Sequence, residues 1–188
     1  QNILDNENVE IKKEAFKTIK QVKDKNFNIK EKADQLRSRL ASGECQNVSQ
    51  LNLFRVRMTS LPLEVCHLTS LKNLNLTRIP LRVLPDQVAQ LSQLEYFNLS
   101  DTQLQEFPEQ IQALTALKDV DLSCNLIKNI YLKDGLNFNP TRLSLADNAL
   151  EVFSGCICRL TNLQSLNLSR NRIPCIPNDL RQLTNLCN

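Results

Sequence analysis

Three glycines, one histidine, one methionine and no tryptophan occur in 188 residues. Each scarcity excludes a chemistry. A lone histidine, His67, has no second imidazole and no placed acid with which to activate a nucleophile. Three glycines cannot build a glycine-rich phosphate cradle. The longest apolar stretch falls far short of a membrane helix, and the start shows no signal peptide. Lys and Arg number 23 against 20 Asp and Glu, a net charge of +3. That balance has no basic excess for a nucleic acid and no basic face for a membrane. Cys156-x-Cys158 lacks the second pair that a zinc site needs, so no metal and no cofactor are expected.

What the chain does have is a period. Apolar residues recur 23 apart at Val48, Leu71, Leu94, Leu117, Leu163 and Leu186, with Pro140 at the one missing step. In register with them run Leu51, Leu74, Phe97, Val120, Leu143 and Leu166, and then Leu53, Leu76, Leu99, Leu122, Leu145 and Leu168. A fourth column holds Met58, Leu81, Leu104, Ile127, Leu150 and Ile173. The alternation in "LNLT" or "FNLS" predicts a short strand with every second side chain inward. The return half, as in "VLPDQVAQLSQ", predicts a turn and then a short helical or 3₁₀ segment. One such unit cannot bury its apolar side; stacked units share a core and pair their strands in parallel. Asp119 and Asp121 then lie on one side of a strand, a charged surface stripe rather than an acid–base pair.

The pattern LxxLxLxxNxL followed by xxLPxxφxxLxx resembles the leucine-rich repeat in its 23-residue intracellular form, similar to repeats of scaffolds and bacterial effectors. The resemblance covers residues 46–188. It implies an α/β solenoid: right-handed, about six repeats, a parallel concave sheet and a helical N-terminal cap. Repeats start near 48, 71, 94, 117, 140 and 163, with a seventh cut short at 186. The family's turn asparagine stands at Asn125, Asn148 and Asn171, while Val56, Ile79 and Thr102 replace it in earlier units and are expected to pack the turn. Unit four departs further: Asp134 and Asn137 replace apolar anchors, Gly135 supplies a joint, and Leu132, Leu136 and Phe138 are expected to rotate inward.

Seven cysteines are an odd number in scattered repeat places. Cys66 and Cys158 share a column, but four strands at about 4.8 Å separate them by roughly 19 Å, beyond disulfide reach. Free thiols in a reducing cytoplasm follow, or, for a bacterial effector, delivery into a host cell. Sequons at Asn47, Asn75, Asn98 and Asn167 arise from the repeat composition and do not make the chain secreted. Residues 1–44 form a separate segment. Ala15, Val22, Ile29 and Leu36 repeat every seven, as do Ile19, Asn26, Ala33 and Leu40, before Gly43. One helix or two, with a break near residue 27, is expected to cap Val48, Leu51 and Leu53 at the start of the 45–188 repeat domain. A partner-binding or dimerising helical arm is the alternative.

Function then falls to the open face of the sheet. Its columns read Ser49, Lys72, Glu95, Lys118, Thr141 and Gln164; then Gln50, Asn73, Tyr96, Asp119, Arg142 and Ser165; then Asn52, Asn75, Asn98, Asp121, Ser144 and Asn167. Phe54 heads another column, and Arg55, Arg78, Asp101, Cys124, Asp147 and Arg170 form the last. The expectation is a non-catalytic module whose protein partner seats a basic element over Tyr96, Asp119 and Asp121, with an acidic contact to Arg55 and Arg78. Lys72, Glu95, Asp101, Arg142, Asp147 and Arg170 complete the candidate surface. The alternative is the recognition part of a larger enzyme, such as an effector ubiquitin ligase or a regulator of small GTPases.

Overall fold

The computed structural model describes residues 48–187, apart from Arg57 and Leu136, together with Ser38. The expected N-terminal helix, its capping role, Cys45, Asn47 and the inward rotation of Leu136 lie outside these residues. Six three-residue strands form one sheet in chain order: β1 (Gln50–Asn52), β2 (Asn73–Asn75), β3 (Tyr96–Asn98), β4 (Asp119–Asp121), β5 (Arg142–Ser144) and β6 (Ser165–Asn167). Every neighbouring pair is parallel and every pairing joins residue i to i+23. The solenoid and the register expected from the period are therefore present. Just before each strand a backbone rung carries the same offset, from Lys72 N to Ser49 O at 2.8 Å through to Cys187 N to Gln164 O at 2.8 Å.

The side chains explain why each strand is so short. Its middle residue points inward: Leu74, Phe97, Val120 and Leu143 are buried, as is the following column from Leu53 to Leu145. The chain then turns through a left-handed corner at Arg55, Arg78, Asp101, Cys124, Asp147 and Arg170, all with φ between 53° and 60°. Five of these corners donate their N–H to the next unit, from Arg55 N to Thr77 O at 3.0 Å to Asp147 N to Ser169 O at 2.9 Å. Side chains brace the same bend. Asn52, Asn75, Asn98, Asp121 and Asn167 each accept the N–H two residues on with Oδ1, at 2.9–3.0 Å. These are Asx turns, and they answer why asparagine recurs at the end of the strand.

The return half begins at a proline in most units. Pro62 precedes the single-turn helix α1 (Leu63–Cys66), and Pro85, Pro108 and Pro177 precede 3₁₀ turns at Asp86–Gln90, Glu109–Ala113 and Asn178–Gln182. Ser154 takes that place before Gly155–Arg159. Proline fixes φ and needs no N–H partner at a helix start, which suits it to this role. Unit four has Tyr131 there and shows no helical turn among its described residues. Its replacement packing matches the expectation in part: Leu132 and Phe138 are buried, Gly135 has φ 75°, and Phe138 meets Phe107 edge-on at 6.4 Å. Gln112, itself buried, holds the segment with Nε2 to Tyr131 O at 3.0 Å and Oε1 from Lys133 N at 2.7 Å. Arg159 reaches the same loop through Leu132 O and Asp134.

The turn asparagines join successive units. Asn125 Oδ1 accepts from Thr102 N at 3.1 Å and Leu104 N at 3.0 Å, while Nδ2 donates to Leu99 O and Leu122 O, both at 2.9 Å. Asn148 and Asn171 repeat the arrangement one and two units on. Where the asparagine is missing, Ile79 fills the turn fully buried, and Thr102 does so with its hydroxyl on Leu99 O at 2.7 Å.

Candidate functional site

The outward face of β1–β4 lines an open cavity of about 550 Å³ on the exposed side of the sheet. Its rim and floor are set by repetition. Gln50, Asn73, Tyr96 and Asp119 start the strands, Asn52, Asn75, Asn98 and Asp121 end them, and Leu51, Leu74 and Phe97 lie between. Amides therefore dominate the lining, and Tyr96, 42% exposed, is its aromatic surface. The side-chain amides of Gln50 and Asn73 make no intramolecular hydrogen bond among the described residues, so both can bind outward.

The candidate surface divides in two. Tyr96, Asp119 and Asp121 meet in the cavity. Arg55, Arg78, Asp101, Asp147 and Arg170 stand instead on the left-handed corners beyond the strand ends. The charges are also less segregated than their column order suggests, because most acids are answered from a neighbouring unit. Glu95 lies between Lys118 at 2.6 Å and Lys72 at 3.5 Å, and the Lys118 hydrogen bond holds its carboxyl below the usual range. Arg142 Nε donates to Asp119 at 2.9 Å. Arg78 meets Asp101 at 3.5 Å and Arg170 meets Asp147 at 3.4 Å. Each pair has at least one exposed partner and is screened by water, so these pairs arrange the surface more than they stabilise it.

Two groups escape this pairing. Asp121 accepts Ser123 N at 3.0 Å and Asn98 Nδ2 at 3.3 Å, but no cation meets it among the described residues. Arg55 meets no carboxylate among the described residues; its guanidinium lies 5.0 Å from the ring centre of Phe54, with Arg78 at 6.0 Å from the same ring. Phe54 is 42% exposed, a contact residue that the sequence reading placed in a column but did not single out. The recurrent asparagine at the strand end is the sequence signal for the amide-lined cavity.

Among the described residues no group of three or more His, Cys, Asp or Glu could hold a metal ion, and no helix is long and apolar enough to cross a membrane. Cys66, Cys124, Cys156, Cys158, Cys175 and Cys187 are free thiols. Cys156 lies 2.9 Å from Ser154 Oγ rather than against Cys158. Burial, and then the charge of Glu64, push the Cys66 thiol up to about 11.

Comparison with known proteins bears on the same repeats. A family model described as Leucine rich repeat matches residues 69–127, and a second, also Leucine Rich Repeat, matches 162–183. No curated protein sequence matches. Among solved structures, a leucine-rich repeat protein of Leptospira interrogans superposes with a TM-score of 0.70 at 30% identity, over 78% of this chain and 38% of that one. TLR13 in complex with ssRNA13 gives 0.67 at 28%, over 75% and 21%. Internalin C2 of Listeria monocytogenes gives 0.59 at 22%, over 80% and 71%, a likeness of fold alone. The chain thus spans well under half the length of the first two. With its six parallel strands in register and both family models on its repeats, the chain belongs to the leucine-rich repeat proteins.

Proposed function

We propose that the protein is a non-catalytic interaction module that seats a segment of a protein partner on the open face of its sheet, in the cavity of β1–β4. Leucine-rich repeats generally serve as interaction modules, and the single observation that supports this place is the lining itself. Unengaged amides at Gln50 and Asn73 beside half-exposed Tyr96 offer hydrogen bonds and one aromatic anchor, the combination that peptide recognition uses. TLR13 is solved with an RNA; here Asp119 and Asp121 in the lining oppose phosphate. Six free thiols among the described residues support a reducing compartment, so we place the module in the cytoplasm. N-glycans at Asn75 or Asn98 would fill the same cavity.

A second reading keeps the same face and adds chemistry elsewhere. The chain spans only 38% of the Leptospira protein it matches, which supports a recognition part within a longer protein. The test of both is capture of partners by the wild type, by Tyr96→Ala/Asn73→Ala, and by Val152→Ser as a control away from the cavity. Val152 is 66% exposed. The expected result is loss of direct partners with the double variant only. Equal recovery by all three, with equal melting temperatures, would remove the binding site from this face.

A further inference from the structure

Asp121 carries a charge that its structural task does not need. At the same strand-end position Asn52, Asn75, Asn98 and Asn167 make the same Asx turn, at 2.9–3.0 Å, that Asp121 makes to Ser123 N at 3.0 Å. An amide therefore meets the turn's requirement four times over in this chain; the carboxylate adds its charge and a second acceptor oxygen, which takes Asn98 Nδ2 at 3.3 Å. The other acids of the open face meet a cation, Glu95 two lysines and Asp119 an arginine. Asp121 meets none among the described residues, although it is half-buried on the cavity floor. A half-buried carboxylate with two accepted hydrogen bonds and no cation still has lone pairs that a ligand's charged donor can take.

Its surroundings fix the shape of that cation. Tyr96 stands one strand over and two residues back, about 4.8 Å across and roughly 6.6 Å along the sheet, on the same face. A side chain with a long apolar stem can lie along the ring and bring its charged end to the carboxylate. Resting on the reading that this cavity seats a protein segment, we infer that the segment carries one lysine or arginine whose charged end pairs with Asp121 while its stem crosses Tyr96. Asp121 is then the residue that sets specificity, and its charge selects the ligand.

The test uses the full chain and a display library of random twelve-residue segments. Recovered segments are synthesised and titrated by fluorescence polarisation against wild type, Tyr96→Ala and Asp121→Asn. Asp121→Asn keeps the turn donor satisfied, so its melting curve should overlay that of the wild type. The expected segments share a Lys or Arg whose exchange for norleucine weakens wild-type binding at least tenfold. The same exchange should cost Asp121→Asn less than twofold, the signature of a paired loss. Segments that need Tyr96 but bind Asp121→Asn as well as wild type would overturn the cation pairing and leave the cavity reading intact. Segments indifferent to Tyr96→Ala, preferential retention of a single-stranded RNA oligonucleotide, or recovery of no segment at all would overturn both.

Discussion

A single side chain decides how one unit holds the next, and Asn125 shows the difference from the residues it replaces. Ile79 fills the turn by volume alone, whereas Asn125 satisfies two N–H groups of the preceding unit and two carbonyls that flank it. Removing one partner from a buried pair leaves the other unsatisfied, at about 1–3 kcal/mol each. Asn125→Ala should therefore cost at least about 3 kcal/mol in urea unfolding. A loss below about 1 kcal/mol would mean that water takes over the bonds. Cys66 is a second case in which surroundings rule the residue. Its folded thiol ionises near 11 rather than 9 because burial disfavours the thiolate, and the charge of Glu64 adds to that. A raised pKa stabilises the fold below the unfolded value and loses that contribution as pH rises from about 9 through about 11. Stability should fall over that window in the wild type and fall less in Cys66→Ala. At pH 8 a thiol reagent should modify exposed Cys124, Cys175 and Cys187 at once and reach Cys66 only on unfolding.

At the scale of the element, the return half of unit four depends on its neighbours. With Tyr131 in the proline position, the described residues between 126 and 139 include no helical turn, so their backbone groups need partners from outside. Gln112 from the preceding unit supplies two, and Ser154 from the following unit gives a third to Ile130 O at 2.9 Å. Gln112→Ala should speed amide exchange at Lys133 by tenfold or more while leaving Tyr96–Asn98 unchanged; equal protection in both would show that the loop holds itself. Such dependence was only partly legible in the sequence. Strand register was fully so, since a fixed unit length and an alternation of two leave one pairing open, as Leu74, Phe97 and Val120 show. The inward turn of Leu132 and Phe138 followed from hydrophobicity alone. The left-handed corners did not, because Arg or Cys holds four of the six instead of the glycine, asparagine or aspartate that favour that backbone. Nor did the charge pairing: columns name the charges on a face, but side-chain reach decides that Arg142 takes Asp119 and leaves Asp121 free.

At the scale of the whole molecule, each unit contacts mainly the units before and after it, so stability is a sum of units and of the interfaces between them. Burial follows that rule along one column. Leu76, Leu99, Leu122 and Leu145 are fully enclosed, while Leu168 in the last complete unit is half-buried. The column beginning at Leu61 behaves alike, ending at Ile176, which is 59% exposed where Leu84 and Phe107 are buried. An identical truncation must then have a cost that depends on position. Leu99→Ala removes packing from a closed site between two intact neighbours and should cost about 3–5 kcal/mol, with a cavity left behind. Leu168→Ala loses less apolar contact and can relax toward solvent, so about half that cost follows. The urea slope should also separate them. Weakening the third unit divides the array at its middle and should lower the slope, whereas weakening the last should leave it close to the wild-type value. Equal costs and equal slopes would show instead that the six units unfold as one body, with interfaces strong enough to hide where the damage lies.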